Sequence, residues 1–263
     1  MAIINHQTVF NADRLPDRLP GRVIGIAADV GQHDSGMHQH HKGQLLYAPR
    51  GCMSFALEGA ICILPPTKAV WIPPRVAHQA VMTNVVAYRS LYFDCSEINS
   101  PDKVTVIEVN ELLRALIERM AFWPWDKNEQ EMTHTLALFW EEFFAAQQHD
   151  YRLPLPTDRR LKKWSQQLVK NDFLAPSCGE LAKQVGASSK TITRLFKQDT
   201  GMSYQEWRQQ WRVLKAIELL STPLPVSEVA HQLAFSSDSA FIAFFKKQTG
   251  QTPLAFVMQK SHA

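Results

Sequence analysis

The stretch from Leu181 to Trp207, LAKQVGASSKTITRLFKQDTGMSYQEW, recurs in altered form from Val229 to Phe256 as VAHQLAFSSDSAFIAFFKKQTGQTPLAF. The offset is 48 residues at the start and 49 at the end, because the second copy has one extra residue. In each copy a short helical pattern leads through a turn, beginning at Gly186 or Ala234, into a second helix with Ser and Thr near its start. This is the pattern of a helix-turn-helix, whose second helix enters the major groove of DNA. The two predicted units span about residues 178–198 and 226–249.

Charge is distributed unevenly along the 263 residues. Residues 1–156 carry 13 Lys and Arg against 17 Asp and Glu, a net charge of −4. Residues 157–263 carry 15 against 8, a net charge of +7, and the repeat lies inside this basic part. A charge excess alone also fits a solvated face, but together with the repeat it indicates a module that binds a polyanion. We therefore predict double-stranded DNA as the partner of the C-terminal part.

The remainder of the chain predicts strands followed by helices. From about residue 23 to residue 93, short runs rich in Val, Ile, Tyr, Phe and Trp alternate with Gly and Pro, as in a small β-sandwich or barrel. Apolar residues recur at helical spacing from Asn110, and a second helical pattern covers about residues 127–148. The prolines of YRLPLPTDRR, residues 151–160, suit a short linker. We predict an α+β fold with two domains, residues 1–150 and residues 157–263.

The second of these helical patterns has a broad apolar side. Core packing and a dimer interface both explain such a stripe. Because it exceeds what a small sheet domain needs to cover itself, we expect a homodimer formed through the helices of residues 110–148. A charge placed at Leu116 or Phe143 is then expected to give monomers that remain folded. The stripe consists of Met132, Leu136, Phe139, Trp140, Phe143 and Phe144.

Two segments of the repeat carry a family resemblance. LAFSSDSAFIAFFKKQTGQTPLAF, from Leu233, resembles the signature around the second recognition helix in the AraC/XylS family of bacterial transcription regulators, and LFKQDTGMSYQEW, from Leu195, is the matching end of the first copy. The resemblance covers about residues 158–260. It implies two recognition helices presented to successive major grooves on one face of the duplex, about 10 base pairs apart.

Residues that face away from the packing side of each recognition helix are the candidates for DNA contact. Arg194 stands where the family commonly has a base-contacting Arg, and a guanidinium can bind guanine O6 and N7 together. A phosphate contact or a solvated side chain is the alternative. Ala243 replaces an Arg that is often found in the second helix. That helix is therefore expected to read thymine methyl groups and groove shape, or to contribute mainly phosphate contacts through Lys246, Lys247 and its N-terminus. The predicted DNA-binding residues are Lys190, Thr193, Arg194, Asp238, Ser239, Ile242, Lys246 and Lys247.

Histidines are concentrated in two segments of the first half, HQHHKGQLLYAPRG from His38 and PPRVAH ending at His78. This arrangement resembles the cupin barrel, whose first motif is His-x-His, three or four residues, Glu, six residues, Gly, and whose second is Pro-x-Gly-x-x-His. Gln44 stands in the place of the Glu and Arg75 in the place of the Gly. The resemblance implies a cupin-like sensor domain in which His38, His40 and His78 converge.

Three explanations of these histidines remain open: a metal site, a metal-free effector pocket and a purely structural role. Three imidazoles can bind a divalent metal, but Gln44 offers a neutral carbonyl where a carboxylate would supply negative charge. The version we favour has no cofactor, and its histidines line a polar pocket for a small organic effector. The predicted pocket residues are His38, His40, Gln44, His78, Tyr47 and Trp71, with His38, His40 and His78 as the possible metal ligands.

Two classes of function fit these features. A cupin metalloenzyme, such as a dioxygenase or isomerase, explains the pocket, whereas a ligand-sensing regulator explains both halves. We therefore predict a sequence-specific transcriptional regulator and no enzyme, with RNA polymerase as a further partner if it activates. The longest apolar runs fall short of the about 18 residues that a membrane span needs, and the first residues lack a secretory pattern. We expect a cytoplasmic protein with no membrane partner.

Overall fold

A computed structural model describes residues 16–31, 33–82, 86–149, 152–169 and 174–261. These described residues divide into two compact units, one built on residues within 16–53 and 64–149 and the other on residues within 54–63 and 152–261. No helix in the described ranges is long and apolar enough to cross a membrane.

The described residues contain eleven strands. They are β1 (Val23–Val30), β2 (His33–Asp34), β3 (Gly43–Arg50), β4 (Met53–Leu57), β5 (Ala60–Leu64), β6 (Lys68–Ile72), β7 (His78–Met82), β8 (Val86–Phe93), β9 (Thr105–Glu108), β10 (Gln148–His149) and β11 (Leu153–Pro154).

An antiparallel six-stranded sheet, in the order β1-β8-β3-β6-β9-β10, forms the frame of the N-terminal unit. β1 pairs with β8 along its whole length, from Val23 opposite Phe93 to Val30 opposite Val86. β3 lies between β8 and β6, and in the same unit the short β2 pairs with β7. The strands coincide with the runs of β-branched and aromatic residues, which favour a pleated backbone. The predicted sheet domain is therefore confirmed.

The two faces of β3 differ in chemistry. Side chains alternate along a strand, so Leu45 and Tyr47 share one face and Gln44 points to the other. Leu45 and Tyr47 belong to the apolar core, whereas Gln44 hydrogen-bonds Ser90 on the neighbouring β8. The sheet thus separates an apolar layer from a polar interior.

Two helices cover the apolar face of this sheet, α1 (Glu111–Ala121) and α2 (Glu129–Ala145). The Asn110 side chain caps α1 by accepting a hydrogen bond from Leu113 N at 2.7 Å. Gly25 in β1 lets the strand approach α1, because a Cβ there would collide with the backbone of Met120 and Ala121. The sheet and the helices therefore share one core.

The apolar stripe of α2 lies in this core. Phe139 and Phe143 are fully buried, and Phe143 packs edge-on against Trp71 with ring centroids 5.9 Å apart. Leu116 of α1 is buried in the same cluster. The expectation that charge at Leu116 or Phe143 leaves folded monomers is therefore wrong, because it would put an unpaired charge in the core. Only Phe144 at the end of the stripe is mostly exposed, at 51%.

Seven helices make up most of the described part of the C-terminal unit. They are α3 (Lys162–Val169), α4 (Cys178–Gln184), α5 (Ser189–Thr200), α6 (Tyr204–Leu220), α7 (Val226–Gln232), α8 (Asp238–Thr249) and α9 (Pro253–Ser261). The predicted all-α domain is confirmed. α4 with α5 and α7 with α8 form two helix-turn-helix units, and α6 is the long helix between them in sequence.

Local signals in the sequence account for the ends of these helices. Ser177 and Ser203 each form a capping box with a Glu three residues later. Gly201 and Gly250 end the two recognition helices α5 and α8 in the left-handed conformation, which glycine adopts without strain. The matching glycine caps of α5 and α8 reflect the internal repeat.

The predicted linker is more ordered than its prolines indicate. Leu153 and Pro154 form β11, which pairs with β5. β11 lies at the end of its sheet, where a proline sacrifices no ladder hydrogen bond on its open side. Trp207 Nε1 donates to Pro154 O at 2.6 Å and ties this strand to α6.

Arg212 of α6 holds the turn of the second helix-turn-helix. That turn contains Ala234 at φ 55°, where the first copy has Gly186 at φ 64°. Arg212 Nη2 donates to Leu233 O at 2.7 Å, and its guanidinium lies 3.8 Å from the ring centroid of Phe235. Burial lowers the pKa of Arg212, with the nearby Arg208 adding to the effect. A residue outside the motif thus stabilises a left-handed turn that lacks glycine.

Two adjacent leucines of α1 give a matched test of the N-terminal core. Leu113 is 0% exposed and Leu112 is 43% exposed. We expect Leu113→Ala to lower the free energy of unfolding by about 2–5 kcal/mol, because buried contacts are lost and a cavity remains. Leu112→Ala is expected to change it by less than about 0.5 kcal/mol. Urea denaturation followed by circular dichroism measures both, and equal losses would contradict the assigned core.

Replacing Arg212 tests the support of the second turn. Arg212→Met keeps most of the stem but removes the hydrogen bonds, so we expect the free energy of unfolding to fall by about 1–3 kcal/mol. Arg194→Met, at an exposed position of α5, is the control and is expected to change it by less than about 0.5 kcal/mol. Hydrogen exchange should also accelerate in α7 and α8. Two equally stable variants would show that the turn does not need Arg212.

Candidate DNA interface and effector pocket

The first recognition helix, α5, presents a polar face to solvent. Ile192, Leu195 and Phe196 are buried against the rest of the unit. The predicted residues Lys190, Thr193 and Arg194 are exposed on the other side. The structure brings these three together in one open groove with Ser189, Lys197 and Gln198.

Lys197 and Gln198 are missed by the sequence analysis. They follow Thr193 and Arg194 by four residues, which places them on the same side of a helix with 3.6 residues per turn. Helical spacing alone would therefore have identified them. Lys190, Arg194 and Lys197 together give this groove a positive charge suited to a phosphate backbone.

The second recognition helix, α8, has a different surface. Phe241 and Phe245 are buried, while the predicted residues Asp238, Ser239 and Ile242 are exposed near its start. Its two lysines come later. Lys246 and Lys247 are exposed in the last turn of α8. The two helices thus offer unequal chemistry, since α5 has Arg194 on its exposed face and α8 contains no arginine.

Three histidines of the N-terminal unit converge. The backbones of His38 and His78 pair as an isolated bridge, with N–H to carbonyl distances of 2.9 and 2.8 Å. Their ring centroids are 4.4 Å apart, and the ring of His40 lies 4.9 Å from that of His38. One ring nitrogen of each histidine lies within 4.8 Å of the other two. The structure thus brings the side chains of His38, His40 and His78 together, as the sequence predicted.

Backbone carbonyls orient two of the rings. His38 Nδ1 lies 2.8 Å from Gly36 O, and His78 Nδ1 lies 2.9 Å from Val76 O. A carbonyl only accepts hydrogen bonds, so each Nδ1 carries the proton. In the neutral ring, Nε2 is then the nitrogen that can only accept a hydrogen bond.

Burial keeps the side chains of His40 and His78 neutral. Burial, and after it the neighbouring His38, lower the pKa of His40 to about 4. Burial also lowers the pKa of His78 to about 3, against the hydrogen bond with Val76 O, which raises it. Both imidazoles are therefore uncharged near neutral pH. Neither ring nitrogen of His40 has a hydrogen-bond partner, although both are buried.

Gln44 is linked to this cluster through Tyr92. Gln44 Nε2 donates to Ser90 Oγ at 2.9 Å and to Tyr92 Oη at 2.8 Å. The Tyr92 ring meets His40 edge-on, with centroids 5.0 Å apart. Gln44 Oε1 is buried without a hydrogen-bond partner. Ser90 and Tyr92 are neighbours of the predicted pocket residues Gln44 and His40 that the sequence did not indicate, and only the pairing of β3 with β8 reveals them.

Arg75 occupies a position that favours glycine. Its φ of 64° lies in the left-handed region, which explains why the cupin motif has Gly in this place. Arg75 N donates to His40 O at 2.7 Å. The strained turn therefore anchors the segment that carries His40.

Tyr47 and Trp71 do not join the histidines, so their assignment to the pocket is corrected. Both lie in the apolar core beneath α1 and α2. Tyr47 is three residues from Gln44 on β3, which puts the two side chains on opposite faces. Trp71 is paired with Leu45 and shares its face. Proximity in sequence was a poor guide because a strand alternates its faces.

Two parts of the chain match models of known protein families. Residues 20–144 match the family model of the AraC-like ligand binding domain, and residues 181–259 match a helix-turn-helix domain model. The chain is 29% identical to the HTH-type transcriptional regulator NimR of Escherichia coli K12, over 92% of this chain and 90% of NimR.

Two further relatives match over shorter ranges. The HTH-type transcriptional regulator RipA of Corynebacterium glutamicum is 37% identical over 39% of this chain and 31% of its own. The arabinose operon regulatory protein of Escherichia coli K12 is 33% identical over 38% of this chain and 35% of its own. With a polar recognition helix in one unit and a ligand-binding domain in the other, the chain belongs to the AraC family of DNA-binding transcriptional regulators.

Proposed function

We propose that α5 reads bases through Arg194 and that α8 contributes mainly phosphate contacts. The observation that carries this proposal is the exposed groove of Lys190, Thr193, Arg194 and Lys197. Arg can bind guanine with two parallel hydrogen bonds, whereas Lys246 and Lys247 at the end of α8 suit sequence-independent contact. Specificity then comes chiefly from the first helix. At the start of α8, Asp238, Ser239 and Ile242 are proposed to contact the major groove of the DNA.

We propose that the N-terminal pocket senses a small molecule and does not catalyse a reaction. Gln44 occupies the place where a cupin enzyme has a carboxylate, and its amide is engaged by Ser90 and Tyr92. The relatives are named as transcriptional regulators. An effector can shift DNA binding only by its different affinity for two conformations of the chain. The chain is proposed to act in the cytoplasm, with RNA polymerase as a partner if it activates.

We also propose that the chain acts as a homodimer. Since the predicted stripe is mostly core, the surface that supports this proposal is the remaining apolar patch on α2. Phe144 is 51% exposed there and stacks on Trp140, with ring centroids 5.7 Å apart. Exposed apolar surface of this kind is often covered by a partner. A second copy would bring two pairs of recognition helices to repeated DNA sites.

The DNA-reading roles are tested with full-length protein on a site selected from a random library. Arg194→Ala is expected to cost about 1–3 kcal/mol on the selected site and to relax preference at one base. Lys246→Ala should weaken binding to the selected and random duplexes equally. Fluorescence anisotropy at fixed salt measures both, with the exposed Lys103→Ala of the other unit as control. Equal losses for Arg194→Ala on both duplexes would refute base reading.

The dimer is tested by Phe144→Glu. The charge should separate the subunits because the patch would have to bury it on association. Light scattering after size-exclusion chromatography is expected to show a monomer for this variant and a dimer for the unmodified chain. Leu254→Glu, at a position 56% exposed in α9, is the control and should remain dimeric. A dimer that survives Phe144→Glu would exclude this patch as the interface.

A further inference from the structure

We propose that Asp199 is a positioning residue for DNA recognition, because it fixes the recognition helix α5 to residues 157–158, which lead into α3. This role rests on the proposed reading of bases by Arg194. Asp199 is not among the predicted DNA contacts. Its effect on DNA binding is transmitted through the position of α5.

Three donors from two consecutive residues converge on one carboxylate oxygen of α5. Asp199 Oδ2 accepts hydrogen bonds from Thr157 N at 2.8 Å, from Thr157 Oγ1 at 3.0 Å and from Asp158 N at 3.2 Å. Hydrogen bonds to an ionised acceptor are about twice as strong as neutral ones. Because three donors share one acceptor, the contact restricts how far and in which direction the end of α5 can move.

The carboxylate lies on the packing side of α5. Asp199 follows the buried Ile192 by seven residues, about two helical turns, so the two share one side. It follows Lys190 by nine residues, about two and a half turns, so these two point in opposite directions. Asp199 is half-buried, whereas Lys190 and Arg194 are exposed. Asp199 therefore faces the unit and not the groove that carries Arg194.

The segment that Asp199 holds is itself supported. Leu155 N donates to Gly59 O at 2.8 Å, next to the pairing of β11 with β5. Trp207 Nε1 of α6 donates to Pro154 O at 2.6 Å. All of these residues lie in the same compact unit. Asp199 therefore connects α5 to a fixed support and not to a free stretch of chain.

The second copy of the motif shows that the helix itself does not require an acid at this position. Gln248 occupies the equivalent position of α8 and is exposed. Both recognition helices otherwise end alike, with a glycine in the left-handed conformation. A negative charge in the last turn also opposes the helix dipole. Asp199 is therefore locally unfavourable in α5, and its hydrogen bonds to residues 157–158 offset that cost.

Base reading is more sensitive to the position of a helix than phosphate contact is. A side chain that binds one base through two hydrogen bonds must be placed within about 0.5 Å. Flexible lysines that contact the phosphate backbone tolerate larger displacements. Without the Asp199 contact, α5 is expected to lose the placement of Arg194 and to keep its general attraction for a duplex.

The role is tested with the full-length chain on the selected site and on a random duplex. Asp199→Ala is expected to weaken binding to the selected site by about 10-fold, within the range that one base contact supplies. It should not weaken binding to the random duplex. Gln248→Ala, at the equivalent position of α8, is the matched control and should change neither affinity. Fluorescence anisotropy at fixed salt measures both.

Further variants separate positioning from stability. Asp199→Asn keeps an oxygen acceptor in place and should recover most of the selectivity. Adding Asp199→Ala to Arg194→Ala should cost no further selectivity, because both changes remove the same base contact. If Asp199→Ala does not fold, Thr157→Val replaces it in both assays. It removes one donor from the other side of the contact and is expected to weaken binding to the selected site by about 3-fold.

The positioning role and the proposed function fail in different ways. Equal losses on the two duplexes, or losses that add to those of Arg194→Ala, would overturn the positioning role. Unchanged selectivity of Asp199→Ala would also overturn it and would leave base reading by Arg194 intact. Selectivity that survives Arg194→Ala but not Asp199→Ala would refute Arg194 as the base reader and support Asp199 as the residue that positions α5.

Discussion

Strand β3 must bury both of its faces, and the N-terminal unit is organised around that constraint. One face carries Leu45 and Tyr47 into the apolar core, and the other carries Gln44 into a polar interior. Helices α1 and α2 are needed to cover the first face. This explains why the apolar face of each helix is broader than that of a helix lying on the surface. The polar interior is then closed off from the helices by the sheet itself.

The same constraint accounts for the character of the histidine cluster. His38 and His78 face each other because their backbones pair, and Arg75, in a left-handed conformation, anchors the segment carrying His40. Burial then keeps the pKa values of His40 and His78 well below neutrality, so these two rings are uncharged near neutral pH. The interior beside β3 is therefore polar but, at these two histidines, uncharged.

The C-terminal unit shows how a duplicated motif diverges. Both copies keep the serine N-cap and the glycine C-cap of the recognition helix, because these are local requirements of a helix. The turn differs, since Gly186 adopts a positive φ unaided while Ala234 does so beside the hydrogen bonds of Arg212. The exposed faces differ as well, with basic residues along α5 and only at the end of α8.

Local and periodic features could be predicted from the sequence. The internal repeat and the outward positions Lys190, Thr193 and Arg194 follow from spacing along one or two elements, and the resemblance to the cupin motifs implied the convergence of the three histidines. Only the tertiary structure decided which face of a strand or helix is covered. It placed Tyr47 and Trp71 under the helices, put Phe143 in the core, and joined Ser90 and Tyr92 to Gln44. The physical reason is that periodicity defines the faces of an element, whereas burial depends on neighbours that are distant in the chain.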